Sequence, residues 1–124
     1  MATILIADDS RFQVQLMSDH LMKKGHRIVT ALDALQAWMV ALRSAPDAIV
    51  LDVNMPAGSG VEVLKRLRTS TKTQQIPVLV VSGSLEAGIE NTITELGAVA
   101  FLRKPVDLDE LAGILARITG GISG

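Results

Sequence analysis

Five short apolar runs recur along the chain at residues 3–8, 27–31, 48–52, 76–81 and 98–102, and stretches with helical spacing follow each of them. Near-continuous apolar runs of this length, alternating with helical patterns, predict buried strands of a parallel sheet. The run Ile76-Pro-Val-Leu-Val-Val81 has no polar residue and suits a strand covered on both faces; its proline stands near the start, where a strand tolerates it. Arg27-Ile-Val-Thr-Ala31 is the most polar run and suits a sheet edge.

The polar residues between the runs mark helix starts. Ser10-Arg-Phe-Gln13, Asp33-Ala-Leu-Gln36, Ser59-Gly-Val-Glu62 and Asp107-Leu-Asp-Glu110 each match a capping box or its Asp-headed variant. Gly25 and Gly97 stand where helices should stop, able to take the left-handed cap conformation. Apolar stripes predict the buried helix faces. They are Val14, Met17 and Leu21 flanked by Phe12 and Leu16; Trp38 with Leu35 and Leu42; Leu85, Ile89, Ile93 and Leu96; and Leu108, Leu111, Leu115 and Ile118. Gly88 falls inside the predicted fourth helix, where glycine costs about 1 kcal/mol relative to alanine. That position reads either as a weak helix or as a helix poised to shift.

Strands alternating with helices imply an α/β fold, a doubly wound five-stranded parallel sheet with both faces covered. Right-handed crossovers leave few strand orders. Candidate site residues mark the ends of strands one, three, four and five and none marks strand two, which predicts the order 2-1-3-4-5.

Composition narrows the function. A chain of 124 residues fits one domain, taken as residues 1–119, with Gly120-Gly-Ile-Ser-Gly124 as a flexible tail. A net charge of -1 and 2% aromatic residues give no attraction to nucleic acid or anionic membrane and no base-stacking surface. No cysteine is present, which excludes thiol chemistry. No run is long enough to span a membrane, and a cytoplasmic location is the expectation. His20 and His26 have no acid or histidine at ligand spacing and read as surface or packing residues.

The chemistry lies at the strand ends. Asp8 and Asp9 close the first run, Asp52 closes the third, and Lys104 follows the fifth. An open parallel sheet gathers these positions on one rim. Three close carboxylates repel unless a cation sits among them, and an all-oxygen donor set points to a hard divalent ion, Mg2+. The lysine can face an anion held by the same metal.

Asp8-Asp9-Ser10, Asp52-Val-Asn-Met-Pro56 with Gly60, Ser82-Gly83 and Lys104-Pro105 together resemble the receiver domain of bacterial two-component response regulators, from Thr3 to about Ile118. The resemblance implies a flavodoxin-like (βα)5 fold and a phosphorylation-dependent signalling switch. Asp52 would be the phosphoacceptor, attacking a phosphoryl group to form an aspartyl phosphate. Asp8, Asp9, Asp52 and the Asn54 carbonyl would hold Mg2+, and Lys104 and Ser82 would bind phosphoryl oxygens. Phe101, three positions before the lysine, would swing inward as Ser82 is drawn to the phosphoryl group. Pro56, Gly60 and Gly83 would shape the loops, and Pro105 would follow a cis bond that orients Lys104. The altered surface would be formed by the fourth helix, fifth strand and fifth helix, and could also carry a dimer. The implied partners are a sensor histidine kinase or histidine phosphotransfer protein and an output protein. The only catalysis implied is of the chain's own phosphorylation and dephosphorylation.

The sequence departs from the family where Ser59 replaces the commoner acid before Gly60 and where Phe101 replaces the commoner tyrosine. A phosphatase of the haloacid dehalogenase type would need an Asp two residues after its nucleophile, and Asn54 stands there. A flavin or nucleotide binder would need a Gly/Ser/Thr-rich loop after the first strand, where this chain offers two acids. A pseudo-receiver acting only as an interaction module is opposed by the complete set of acids, Ser82 and Lys104. Helix five is followed by a Gly-rich stretch that leaves no room for an output domain; a natural single-domain regulator and a receiver cut from a longer protein both fit.

Overall fold

The computed structural model describes residues 2–54, 60–83 and 88–120. In chain order the elements are β1 (Thr3–Ala7), α1 (Arg11–Lys23), β2 (Arg27–Ala31), α2 (Ala34–Ser44), β3 (Ala48–Asp52), α3 (Gly60–Thr69), β4 (Val78–Ser82), α4 (Ile89–Glu95), β5 (Ala100–Arg103) and α5 (Leu108–Ile118). The five strands are parallel in the order β2-β1-β3-β4-β5, as the distribution of site residues predicted.

The central strands are apolar because both their faces are covered. One face presents Leu5, Ile49, Leu51, Val78 and Val80 to Ala34, Ala37 and Ala41 of α2, Val63, Leu64 and Leu67 of α3, and Ile93 of α4. The other presents Ile4, Ile6, Val50, Leu79, Val81 and Leu102 to Val14, Met17 and Leu21 of α1 and to Leu111, Ala112 and Leu115 of α5. β2 lies on the outer edge, which explains its polar composition.

The caps follow the sequence signals. The Ser10 side chain accepts from the Gln13 amide, Asp33 from that of Gln36, and Asp107 from those of Asp109 and Glu110. Gly25 (φ +94°) and Gly97 (φ +85°) take the left-handed conformation at the ends of α1 and α4. Ser59 of the third capping box, Leu85 of the stripe expected for the fourth helix, and the tail beyond Gly120 lie outside the described residues.

Several expectations are corrected. Gly88 is not inside α4: it is the N-cap, at φ +88°, and the helix starts at Ile89. β4 begins at Val78 rather than Ile76 and β5 covers 100–103 rather than 98–102, because Ile76 and Ala98 still make turn hydrogen bonds to Thr73 and Ile93. Phe12 (69% exposed) and Leu16 lie on the flank of α1 turned from the core, and Leu35 on that of α2. The core face of α2 is instead the small-residue stripe Ala34, Ala37 and Ala41, with Trp38 packed at its margin. His20 does have an acidic neighbour, since its Nε2 lies 3.3 Å from Asp109 Oδ1 on α5. That contact joins residues 89 positions apart, so no local spacing could have announced it.

Arg68 is a structural residue that sequence patterning did not single out. Its guanidinium donates to the carbonyls of Leu96, Gln74, Ile76 and Gly97, tying the end of α4 and the approach to β4 onto α3. Burial lowers its pKa from the ordinary value.

Candidate functional site

Register brings the acids together. β1 and β3 align Ala7 with Leu51, which sets Asp8 level with Asp52 at the carboxyl ends of adjacent strands. On the other side β4 and β5 align Ser82 with Arg103, and the Lys104 amide donates to the Ser82 carbonyl at 3.0 Å. The rim therefore collects Asp8, Asp9, Asp52, Ser82 and Lys104 from four strands.

Asp8 and Asp52 are held in the same way. Asp8 Oδ1 accepts from the Ser10 amide and Asp52 Oδ1 from the Asn54 amide, each at 2.9 Å and each two residues on. This local turn fixes both carboxylates and leaves the second oxygens facing one cation. Lys104 Nζ lies 2.8 Å from Asp8 Oδ2 and 3.1 Å from Asp52 Oδ2. Both acids are buried, at 1% and 3% exposure, whereas Asp9 is exposed at the mouth.

Carboxylate oxygens of Asp8, Asp9 and Asp52 lie within 4.8 Å of one another. Three hard anionic donors converging from one side, one of them open to solvent, fit a small divalent cation that keeps part of its water. A lysine between two of them is a weaker substitute, because one charge is set against three. Burial raises the pKa of Asp52, with the Asn54 amide and Lys104 acting against the shift and the Asp8 charge adding to it. Burial alone would lower the pKa of Lys104, but its hydrogen bonds and attraction to Asp8 and Asp52 prevail and raise it.

Ser82 is fully buried, and its Oγ accepts a 2.8 Å hydrogen bond from Asn54 Nδ2. Sequence reasoning gave Asn54 only a backbone role. The amide contact spans 28 positions and becomes visible only once β3 and β4 are paired. Gly60 has a steric reason: a Cβ there would overlap the Asp52 carbonyl oxygen and Val53 Cα, so the chain re-enters α3 against the site strand. Gly83 lies beside the Lys104 side chain, where a Cβ would make ordinary contacts at 3.7 Å. The Lys104-Pro105 bond is cis, as the resemblance implied. Pro56 lies outside the described residues.

Phe101 is half-buried against the core formed with α2, α3 and α4, and the Arg103 guanidinium sits 5.7 Å from its ring centroid. Val99, just before β5, is exposed, because the strand starts only at Ala100. Among the described residues no helix is long and apolar enough to cross a membrane.

Comparison with known proteins agrees with this geometry. A family model described as the response regulator receiver domain matches residues 4–116. Response regulator PleD of Caulobacter vibrioides is 36% identical over 86% of this chain, which spans only 23% of PleD. Sporulation initiation phosphotransferase F of Bacillus subtilis is 32% identical over 87% of this chain and 86% of its own length. The receiver domain of a sensor histidine kinase from Pseudomonas aeruginosa, solved with magnesium in its active site cleft, superposes with a TM-score of 0.87 at 25% identity, over 96% of this chain and 98% of that one. Sheet order, the acidic rim with its lysine, and a family match over nearly the whole chain lead to one conclusion: this chain belongs to the response regulator receiver domain family of two-component signal transduction.

Proposed function

We propose that this chain is a phosphorylation-dependent switch that takes a phosphoryl group onto Asp52 from a histidine kinase or a histidine phosphotransfer protein. The observation that carries the reading is the buried Asp52 carboxylate, level with Asp8, close to Asp9 and in contact with Lys104. Receiver domains are signalling switches that work with such donors, and they are not enzymes that turn over an external substrate.

The chain's own groups divide the work. A carboxylate oxygen of Asp52 attacks phosphorus, forming a P–O bond as the bond to the donor nitrogen or acyl oxygen breaks. Asp8, Asp9, Asp52 and the Asn54 carbonyl are the groups that would hold Mg2+. When bound, the ion offsets the charge that opposes approach of two anions and orients the phosphoryl oxygens. Lys104 must then leave the carboxylates and pair with a phosphoryl oxygen, a move of one flexible side chain that keeps its charge compensated. Ser82 must exchange the Asn54 amide for the same group, drawing the segment after β4 toward Asp52. Phe101, half-buried at the edge of the core, moves inward and changes the surface made by α4, β5 and α5, which an output partner reads or a dimer uses. Catalysis is confined to the chain's own phosphorylation and dephosphorylation.

Incubation with acetyl phosphate tests the proposal. Mass spectrometry should find a single added phosphoryl group on Asp52, dependent on Mg2+ and lost in Asp52→Asn. Equal labelling of Asp52→Asn would move the acceptor away from Asp52, and no labelling of the wild type would leave the pseudo-receiver reading in its place.

A further inference from the structure

We propose that the outer edge of β2 is a self-association surface, where two copies of this chain pair antiparallel through Ile28–Thr30 and join their five-stranded sheets into one. The two ends of β2 show which backbone groups are used up. The Arg27 amide donates to the Ala2 carbonyl, and the Ala31 carbonyl accepts from the Asp8 amide. Both groups therefore point inward to β1. In a parallel ladder successive residues alternate sides, so Ile28 and Thr30 turn their N–H and C=O groups outward. The register with β1 runs unbroken from Thr3–Arg27 to Ala7–Ala31, with no bulge to twist the edge away. From Ile28 to Ala31 there is no proline and no charge, the usual guards of an exposed edge.

The edge complements itself in one register. Placing Val29 against Val29 of a second copy sets Ile28 opposite Thr30 twice, and each of these pairs exchanges two backbone hydrogen bonds. Arg27 then lies diagonal to Asp33 of the other copy, at a spacing of about 7–8 Å that a long side chain spans. No charge faces its like. Asp33 uses Oδ1 to cap α2, which leaves its other oxygen for the arginine.

A groove of about 350 Å³ runs beside this edge between α1 and β2, lined by Val14, Met22, Ile28 and Leu32 together with the polar Arg11, Gln15, Ser18 and Thr30. Met22 is half-exposed in it, and Ser18 is buried with a hydroxyl that finds no hydrogen-bond partner among the described residues. Pairing about a twofold axis brings the two grooves together and covers their apolar lining. The carboxyl ends of the two sheets then point in opposite directions, which leaves both acidic rims open to a phosphodonor.

Sedimentation equilibrium on the full chain, without phosphodonor, should show a monomer–dimer equilibrium. Thr30→Pro removes an outward N–H without touching the β1 ladder and should weaken it at least tenfold. Because the chain has no cysteine, Val29→Cys places one thiol on the axis, and mild oxidation should give a disulfide-linked dimer. Thr30→Cys, more exposed but beyond bridging distance of its counterpart, should not cross-link. A chain that stays monomeric up to millimolar concentration overturns the proposal. So does a dimer that Thr30→Pro leaves intact while Val29→Cys fails to cross-link, a result that would place the contact on another face.

Discussion

Replacing Lys104 by Met removes the cation that the structure sets between Asp8 and Asp52. The side chain keeps its length and apolar stem, so the change isolates the ammonium. Carboxylate oxygens within 4.8 Å of each other then face one another unopposed. At an effective dielectric of about 20, two unit charges at that separation repel by roughly 3.5 kcal/mol. Breaking a buried ion pair on one side costs about 3–5 kcal/mol. The Lys104 side chain is 19% exposed, so water offsets part of this, and a loss of about 2–3 kcal/mol is expected at pH 8 in the presence of a chelator. The pH dependence fixes the sign. The Lys104 pKa is raised in the folded state, so its contribution is fully present below the ordinary value of 10.5 and fades as pH rises through the folded value. At low pH the variant recovers, because protonation of Asp52 removes the repulsion, and burial already favours its neutral form. Mg2+ at about a hundred times its Kd should return about 2.7 kcal/mol to the variant. Urea denaturation followed by far-UV circular dichroism, with EDTA and with Mg2+, reads all three effects. Equal midpoints for variant and wild type in EDTA at pH 8 would refute the pairing.

Asp52→Asn should stabilise the metal-free protein at neutral pH. The raised folded pKa means that wild-type stability falls as pH climbs from 3.8 through that value, so the variant's advantage should vanish toward pH 4; a pH-independent difference in melting would contradict the burial argument. Gly60→Ala should cost about 1–3 kcal/mol in urea melts, because the new methyl meets backbone of Asp52 and Val53 that cannot yield cheaply. Arg68→Met should cost about 2–3 kcal/mol and speed amide exchange at the end of α4, since the carbonyls of Leu96, Gln74 and Ile76 lose a charged donor; unchanged exchange at Gly97 and Ala98 would count against the clamp.

The candidate site was legible in the sequence to an unusual degree, for a reason that lies in parallel sheets. Each strand carries the residues at or just after its carboxyl end to the same rim, so Asp8, Asp9, Asp52 and Lys104 could be grouped from their positions after apolar runs, whereas Ser82 entered through the family resemblance. The hydrogen bond from Asn54 to Ser82 was not legible, nor were the Arg68 clamp and the approach of His20 to Asp109. In each, the partners are remote in sequence and meet only through packing. Helical spacing placed Phe12 and Leu16 as flanks of the α1 stripe and Leu35 in that of α2; all three face solvent, and the core contact of α2 falls to Ala34, Ala37 and Ala41.

By itself the sequence determined the alternation of strands and helices, the caps at Ser10, Asp33 and Asp107, the order of the sheet and the membership of the acidic rim. These follow from local spacing and from the crossover rule, which needs no knowledge of side-chain contacts. Tertiary structure alone decided how charge is balanced on that rim: Lys104 held by Asp8 and Asp52 together, Ser82 held by Asn54, Gly60 pressed against the strand that carries Asp52. It also decided which backbone groups of β2 are left facing outward. Those outcomes depend on distances of a few ångströms between segments remote in the chain, and only the packed sheet sets such distances.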